Sequence, residues 1–237
     1  MTVLNSIWNR ARPDLVIVTE ACEEDVYLWE HSVRVANTAR IIARLPSVQA
    51  RSPDENAMVA AALYQNAGWA AAFRDQEIER SAMLLRPTTA AFREQGILMM
   101  ERSLAGLVPP RVIERAATAI RSRNDRIADS IEGQVVTEAE NLNEFGMVAF
   151  WPNIRRGSIE GKGVRAAIDT WHRRKEYQYW TALLNDSFRI AEVQATARKR
   201  LERYEQAMAA LEEQDDGTDL VSALGVGGAV PLPEALR

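Results

Sequence analysis

Two histidines and one cysteine are all that 237 residues offer to a soft metal or a disulfide. The lone cysteine, Cys22, excludes an intramolecular disulfide and any cysteine-built zinc site. With only His31 and His172, a metal centre made of several imidazoles is excluded by counting. No apolar run approaches the roughly 20 residues that span a bilayer. The opening segment MTVLNSIWNRARPDLVIVTEACEED lacks a basic stretch, an apolar run and a small-residue cleavage site in that order. These absences read as a cytoplasmic protein with no membrane partner. The net charge of −4 argues against a general nucleic-acid or membrane-surface binder. Walker-type loops, G-x-S-x-G elbows, dinucleotide fingerprints and internal repeats are also missing.

What is present is an ordinary globular balance, 47% hydrophobic and 26% charged. Glycines number 12 and period-two alternation is nearly absent, while long segments repeat at helical spacing. The pattern predicts an all-α bundle with long C-terminal helices. The first helix is expected over Glu23 to Leu45, stopping near Pro46. It carries two adjoining apolar stripes, Val26, Trp29, Val33 and Ala36 beside Leu28, Val35, Ala39 and Ile42, which marks it as central. Pro53-Asp54 opens a second helix through MVAAALYQNAGWAAAF, apolar nearly all round. Thr88 or Thr89 caps a third, running towards Leu104. Pro110 suits the first turn of a fourth, RVIERAATAIRSR. A short fifth spans Gly133 to Phe145, and a polar loop, NIRRGSIEGKG, follows Trp151-Pro152. Two long helices, Val164 to Leu184 and Ser187 to Glu213, complete one domain over 1–213. The glycine- and proline-bearing residues 214–237 are expected as a flexible or loosely docked tail.

Three segments in order carry a resemblance. EHSVRVANTARIIA, Glu30 to Ala43, resembles the opening helix of the HD-domain metal phosphohydrolases, with its ligand at His31. AALYQNAGW, Ala61 to Trp69, is similar to the family's A-x-L-x-H-D-x-G block, but the His-Asp pair is Gln65-Asn66. IEGQVVTEAENLNEFG, Ile131 to Gly146, resembles V-x-D-A-D-x-L-D-x-x-G, with Glu138 and Glu140 for the leading aspartates and Asn143 for the third. AIRSRNDR, Ala119 to Arg126, falls where many bacterial members end a helix in a pocket histidine, absent here. The resemblance covers about residues 20–213 and implies the fold of the small stand-alone bacterial members.

It also implies a departure in chemistry. The family's metal is held by converging imidazoles and carboxylates and activates water against a phosphoester. Gln65 offers only an amide, Asn66 keeps an aspartate's shape without its charge, and Glu138 reaches one methylene further. One imidazole and one displaced carboxylate fall short of the three protein ligands that a catalytic site requires. The expectation is therefore a vestigial pocket of His31, Gln65, Asn66 and Glu138, with no metal and no cofactor. Arg34, Arg121, Arg123 and Glu140 are candidate ligand-binding residues around it. His31 reads as a core histidine satisfied by its neighbours, and Glu138 as the ion-pair partner of Arg34, Arg121 or Arg123.

Elsewhere the bland readings prevail. His172 and the basic run Arg155, Arg156, Lys162, Arg165, Arg173, Arg174 and Lys175 read as solvated surface. Trp171, Tyr177, Tyr179 and Trp180 read as core and interface, and Cys22 as an inert residue at a helix start. The functional expectation is an HD-fold pseudoenzyme acting in ligand binding or protein assembly. Its partner is a protein or a small phosphorylated ligand, and a homo-oligomer stays open. The alternative is a divergent metal-dependent phosphohydrolase acting on a nucleotide or another phosphoester.

Overall fold

The computed structural model describes residues 2–20, 22–124 and 130–225. They form an all-α protein with one two-stranded antiparallel sheet. The chain divides into two compact units, Met1–Leu142 and Asn143–Arg237, where the sequence suggests one domain through residue 213.

The first unit begins with a helix that sequence reading leaves unassigned, α1 (Val3–Leu15). Thr2 caps it by accepting from the Asn5 amide, and Ile7, Ala11 and Leu15 form its buried stripe at helical spacing. Pro13 sits in the last turn, where the helix ends without a break inside it. The strands β1 (Ile17–Thr19) and β2 (Cys22–Asp25) pair next, so Cys22 starts a short strand and not a helix. Then come α2 (Tyr27–Ile42), a single turn α3 (Pro46–Gln49), α4 (Glu55–Tyr64) and α5 (Gly68–Arg74). The unit closes with α6 (Ala90–Leu104), α7 (Pro110–Arg121) and α8 (Ile131–Asn141).

The middle of this unit is α4, which packs against α2, α7 and α8. Every residue from Ala57 to Tyr64 is buried, as a helix apolar on all sides requires. Of the two stripes on α2, Leu28, Val35, Ala36, Ala39 and Ile42 are buried, while Val26, Trp29 and Val33 are only half-buried. Asp54 caps α4 by accepting from the Asn56 and Ala57 amides, and the Asp54 amide donates to Glu132 Oε1 at 2.8 Å. Glu132, itself buried, also pairs with Arg115, tying the starts of α4 and α8 to α7. The buried Tyr64 hydroxyl donates to Asp14 Oδ2 at 2.7 Å and anchors α1 to α4.

The expected second helix is two helices because the chain turns at Gln65–Ala67. Beyond that turn the backbone of α6 comes close to the start of α5 and the end of α4 at two glycines. A methyl group on Gly68 would lie 1.9 Å from the Phe92 carbonyl oxygen, and one on Gly96 would lie 2.5 Å from that of Tyr64. Thr89 caps α6 by accepting from the Phe92 amide.

The second unit holds α9 (Phe150–Ile159), α10 (Val164–Glu176), α11 (Tyr179–Asp186), α12 (Ala191–Asp216) and α13 (Thr218–Leu224). The expected polar loop NIRRGSIEGKG is thus largely helix α9, with Pro152 in its first turn where a proline is tolerated. The long helix expected over Val164 to Leu184 is broken at Gln178, whose φ of 52° is left-handed. The last long helix starts later than expected and runs to Asp216, and α13 adds a turn pair beyond it, so part of the expected tail is helical. Residues 226–237 of that tail lie outside the described residues.

Candidate functional site

Four side chains from two helices and one turn meet in the first unit: His31 on α2, Gln65 and Asn66 in the turn after α4, and Glu140 on α8. Arg123 joins them from the 3-10 turn Ser122–Asn124, which extends α7. The carboxylate at the centre is Glu140, not Glu138. One helical residue step is about 100°, so two positions along α8 point to different faces. Glu138 is buried and accepts from Gln134 Nε2 at 3.2 Å.

Glu140 is surrounded by donors. His31 Nε2 lies 3.1 Å from each of its oxygens, Gln65 Nε2 donates to Oε2 at 3.0 Å, and Arg123 pairs with Oε1 at 3.1 Å. Because His31 Nε2 faces both oxygens of the Glu140 carboxylate, the tautomer that satisfies this contact has the hydrogen on Nε2. With that tautomer the Asn66 amide nitrogen, 3.2 Å from Nε2, donates to Glu140 and not to the imidazole. Burial of Glu140, the largest single influence, works to raise its pKa. The charges of His31 and Arg123, with hydrogen bonds from His31 and Asn66, outweigh it and hold the carboxyl well below the usual carboxylate range.

A second tier fixes Asn66. Its Oδ1 accepts from the Thr88 hydroxyl at 2.6 Å and from Arg123 at 3.4 Å, while Thr88 accepts from the Trp69 indole at 2.9 Å. Of two adjacent threonines, Thr89 caps α6 and Thr88 turns inward. Thr88 is the site residue that sequence reading missed. The only signal for it was that a fully buried Trp69 needs an acceptor for its N–H.

The remaining candidates stand apart. Arg121 forms a two-pronged exposed pair with Glu94, both contacts at 2.9 Å, and takes no part in the cluster. Arg34 sits one turn along α2 from His31, and its buried Nε has no hydrogen-bond partner among the described residues. The Gln65 carbonyl oxygen is likewise buried without a donor. His172, exposed on α10, pairs with Glu212 at 3.0 Å, a surface contact.

The donor set does not fit a metal ion. A metal takes lone pairs, and here His31 Nε2 and both amide nitrogens present hydrogens to a single carboxylate. Arg123 brings a permanent cation to within 3.1 Å of that carboxylate, where a divalent ion would be repelled by it. Among the described residues no group of three or more His, Cys, Asp or Glu is placed to hold one. Nor, among them, is any helix long and apolar enough to cross a membrane.

The fold itself is shared with solved bacterial structures. Bacillus subtilis YpgQ matches with 19% identity over 91% of this chain and 97% of that one, at a TM-score of 0.55. The same protein in complex with ADP matches with equal identity and coverage at 0.57. The Lin1889 protein of Listeria innocua matches with 14% identity over 90% of this chain and 97% of its own, at 0.54. No family model and no curated protein matches the sequence.

Proposed function

We propose that this chain is an HD-fold pseudoenzyme in which an internal ion-pair network stands where the family holds its metal, and that it works by binding a phosphorylated ligand or by assembling with a protein. The observation that carries the reading is the pairing of Glu140 with both His31 and Arg123 at 3.1 Å. A carboxylate so engaged has its charge met from within the protein and has no use for a metal. A hydrolytic HD site needs the reverse, with lone pairs converging on an ion that keeps an open position for water.

Of the two roles, a specific observation favours a nucleotide-type ligand: the fold is similar to that of YpgQ, a protein whose structure is known in complex with ADP. Arg34, with a buried Nε and no acceptor one turn from His31, is the residue available to meet a phosphate.

The test compares the natural protein with a quadruple variant, Gln65→His, Asn66→Asp, Glu140→Asp and Arg123→Ala. Both are loaded with manganese, iron, nickel or zinc, analysed for metal per chain, and assayed on bis(p-nitrophenyl) phosphate and on nucleotides. The expected result is metal uptake by the variant alone. One metal per natural chain together with turnover would establish the divergent phosphohydrolase instead. Titration calorimetry with ADP in the presence of EDTA tests the ligand: saturable binding supports a nucleotide site, and its absence leaves protein assembly as the role.

A further inference from the structure

The second unit contains a cavity of about 590 Å³ between α9, α10 and α12. That volume is in the range of small-molecule sites. One wall is aromatic. Trp171, Trp180 and Tyr204 are buried and packed on one another, with ring centroids 4.9–5.8 Å apart, and Phe150 stands edge-on to Tyr204 at 6.3 Å. Met208 and Leu211 extend this wall along α12. An apolar surface of this size facing a void forgoes the contacts that a filled interior makes.

The lining also carries cations. Seven basic residues cluster in the sequence here, and the structure separates them. Lys162 pairs with Glu160 at 2.6 Å, Arg165 with Asp215 at 2.6 Å and Lys175 with Glu205 at 3.3 Å. The paired Lys162 and Glu160 also line the cavity, where their charges offset each other, and Arg156 and Arg174 add two further cations to its lining. The Arg174 guanidinium lies over the Trp180 and Tyr179 rings, 5.7 and 5.0 Å from their centroids. Arg156 Nε is buried and has no hydrogen-bond partner among the described residues. The Trp180 indole N–H, on another lining residue, is also buried and also unpartnered.

Two buried donors without acceptors are a costly feature, since each such group carries the desolvation penalty of a lost hydrogen bond. Both are N–H groups and neither can accept. Neither atom is open to the cavity as it stands, so the anionic character of a ligand follows from the guanidinium groups of Arg156 and Arg174 in the lining. Its body is flat and apolar to suit the tryptophans. We propose that this cavity is a binding site for a small organic anion with a ring-containing apolar body, its anionic group drawn to the guanidinium groups of Arg156 and Arg174 and its ring lying against Trp171 and Trp180. The proposal is independent of the reading of the Glu140 cluster, which lies in the other unit.

The test uses 2-naphthoate as the probe and its neutral counterpart, 2-naphthylmethanol, as the control. Titration is followed in the full-length protein by the indole N–H resonance of Trp180 in a proton–nitrogen correlation spectrum, assigned by a Trp180→Phe variant. Saturable displacement of that resonance by 2-naphthoate, with at least tenfold weaker binding of the alcohol, is expected. Arg156→Met should lose that preference, read by quenching of tryptophan fluorescence, while Arg165→Met, outside the cavity lining, should keep it. Arg174→Met gives a second, separate removal of charge should Arg156→Met fold poorly, as judged by circular dichroism. Equal affinity for the acid and the alcohol overturns the proposal, as does a Trp180 resonance that stays put at saturating naphthoate.

Discussion

Replacing Glu140 with glutamine removes one charge and almost no volume from the cluster joining α2, α4 and α8. The damage is therefore electrostatic. Three donors, His31 Nε2, Gln65 Nε2 and Arg123, lose the carboxylate that they share, and the new amide nitrogen faces at least one of them. Breaking a buried ion pair from one side costs about 3–5 kcal/mol. The Glu140 and Arg123 side chains are 14% and 15% exposed, so water reaches them slightly and the lower end, about 3 kcal/mol, applies. For a cooperative unit of this size that is roughly a 10 °C fall in Tm. Scanning calorimetry at pH 7 measures it directly. The double variant Glu140→Gln with Arg123→Met is the sharper assay, because removing both partners leaves no uncompensated cation. Its loss should be smaller than the sum of the single losses by at least about 1 kcal/mol. If Glu140→Gln melts within 1 °C of the natural protein, or if the losses simply add, the network is not what holds these helices, and the argument for the pseudoenzyme loses its footing.

Further outcomes can be stated. The folded-state pKa of Glu140 is depressed, so its contribution is fully present above the unfolded carboxylate value of about 4.3 and is lost as pH falls through the folded value. Urea midpoints of the natural protein should accordingly drop more steeply below about pH 5 than those of Glu140→Gln, and parallel curves would contradict this. Gly68→Ala sets a methyl 1.9 Å from the Phe92 carbonyl oxygen, which forces α5 and α6 apart. A loss of at least about 2 kcal/mol in urea unfolding is expected, more than the roughly 1 kcal/mol that an alanine would otherwise gain in a helix. Tyr64→Phe removes the bond to Asp14 and should cost about 1 kcal/mol, with faster hydrogen exchange in α1 as the accompanying sign.

Much of this architecture was legible in the sequence because local signals pointed the same way. Asp54, Thr89 and Pro110 mark helix starts that the structure keeps, and the unbroken apolar run of α4 announces a buried helix. What stayed hidden depended on non-local packing. Helix α9 carries a proline and a glycine that read as loop signals, yet Pro152 falls in the first turn, where it does no harm. The break at Gln178 has no glycine or proline to announce it. In the site, His31, Gln65, Asn66 and Arg123 could be named from their places in the pattern. The choice between Glu138 and Glu140 could not, because it depends on which face α8 turns towards α2. Nor could it be seen that Thr88, one residue before a helix cap, would reach Asn66.

Arg123 also constrains the order in which this site could change. Changing Asn66 to aspartate alone would place a new carboxylate within reach of Arg123, whose Nη1 already lies 3.4 Å from Asn66 Oδ1. The arginine would then gain a second counter-ion and hold the cluster more tightly shut. A carboxylate added singly beside Arg123 would thus entrench that cation against a metal ion. Only after Arg123 is lost does a further carboxylate have the freedom to act as a ligand instead of a salt-bridge partner, so any mutational route to a metal centre here passes through position 123 first.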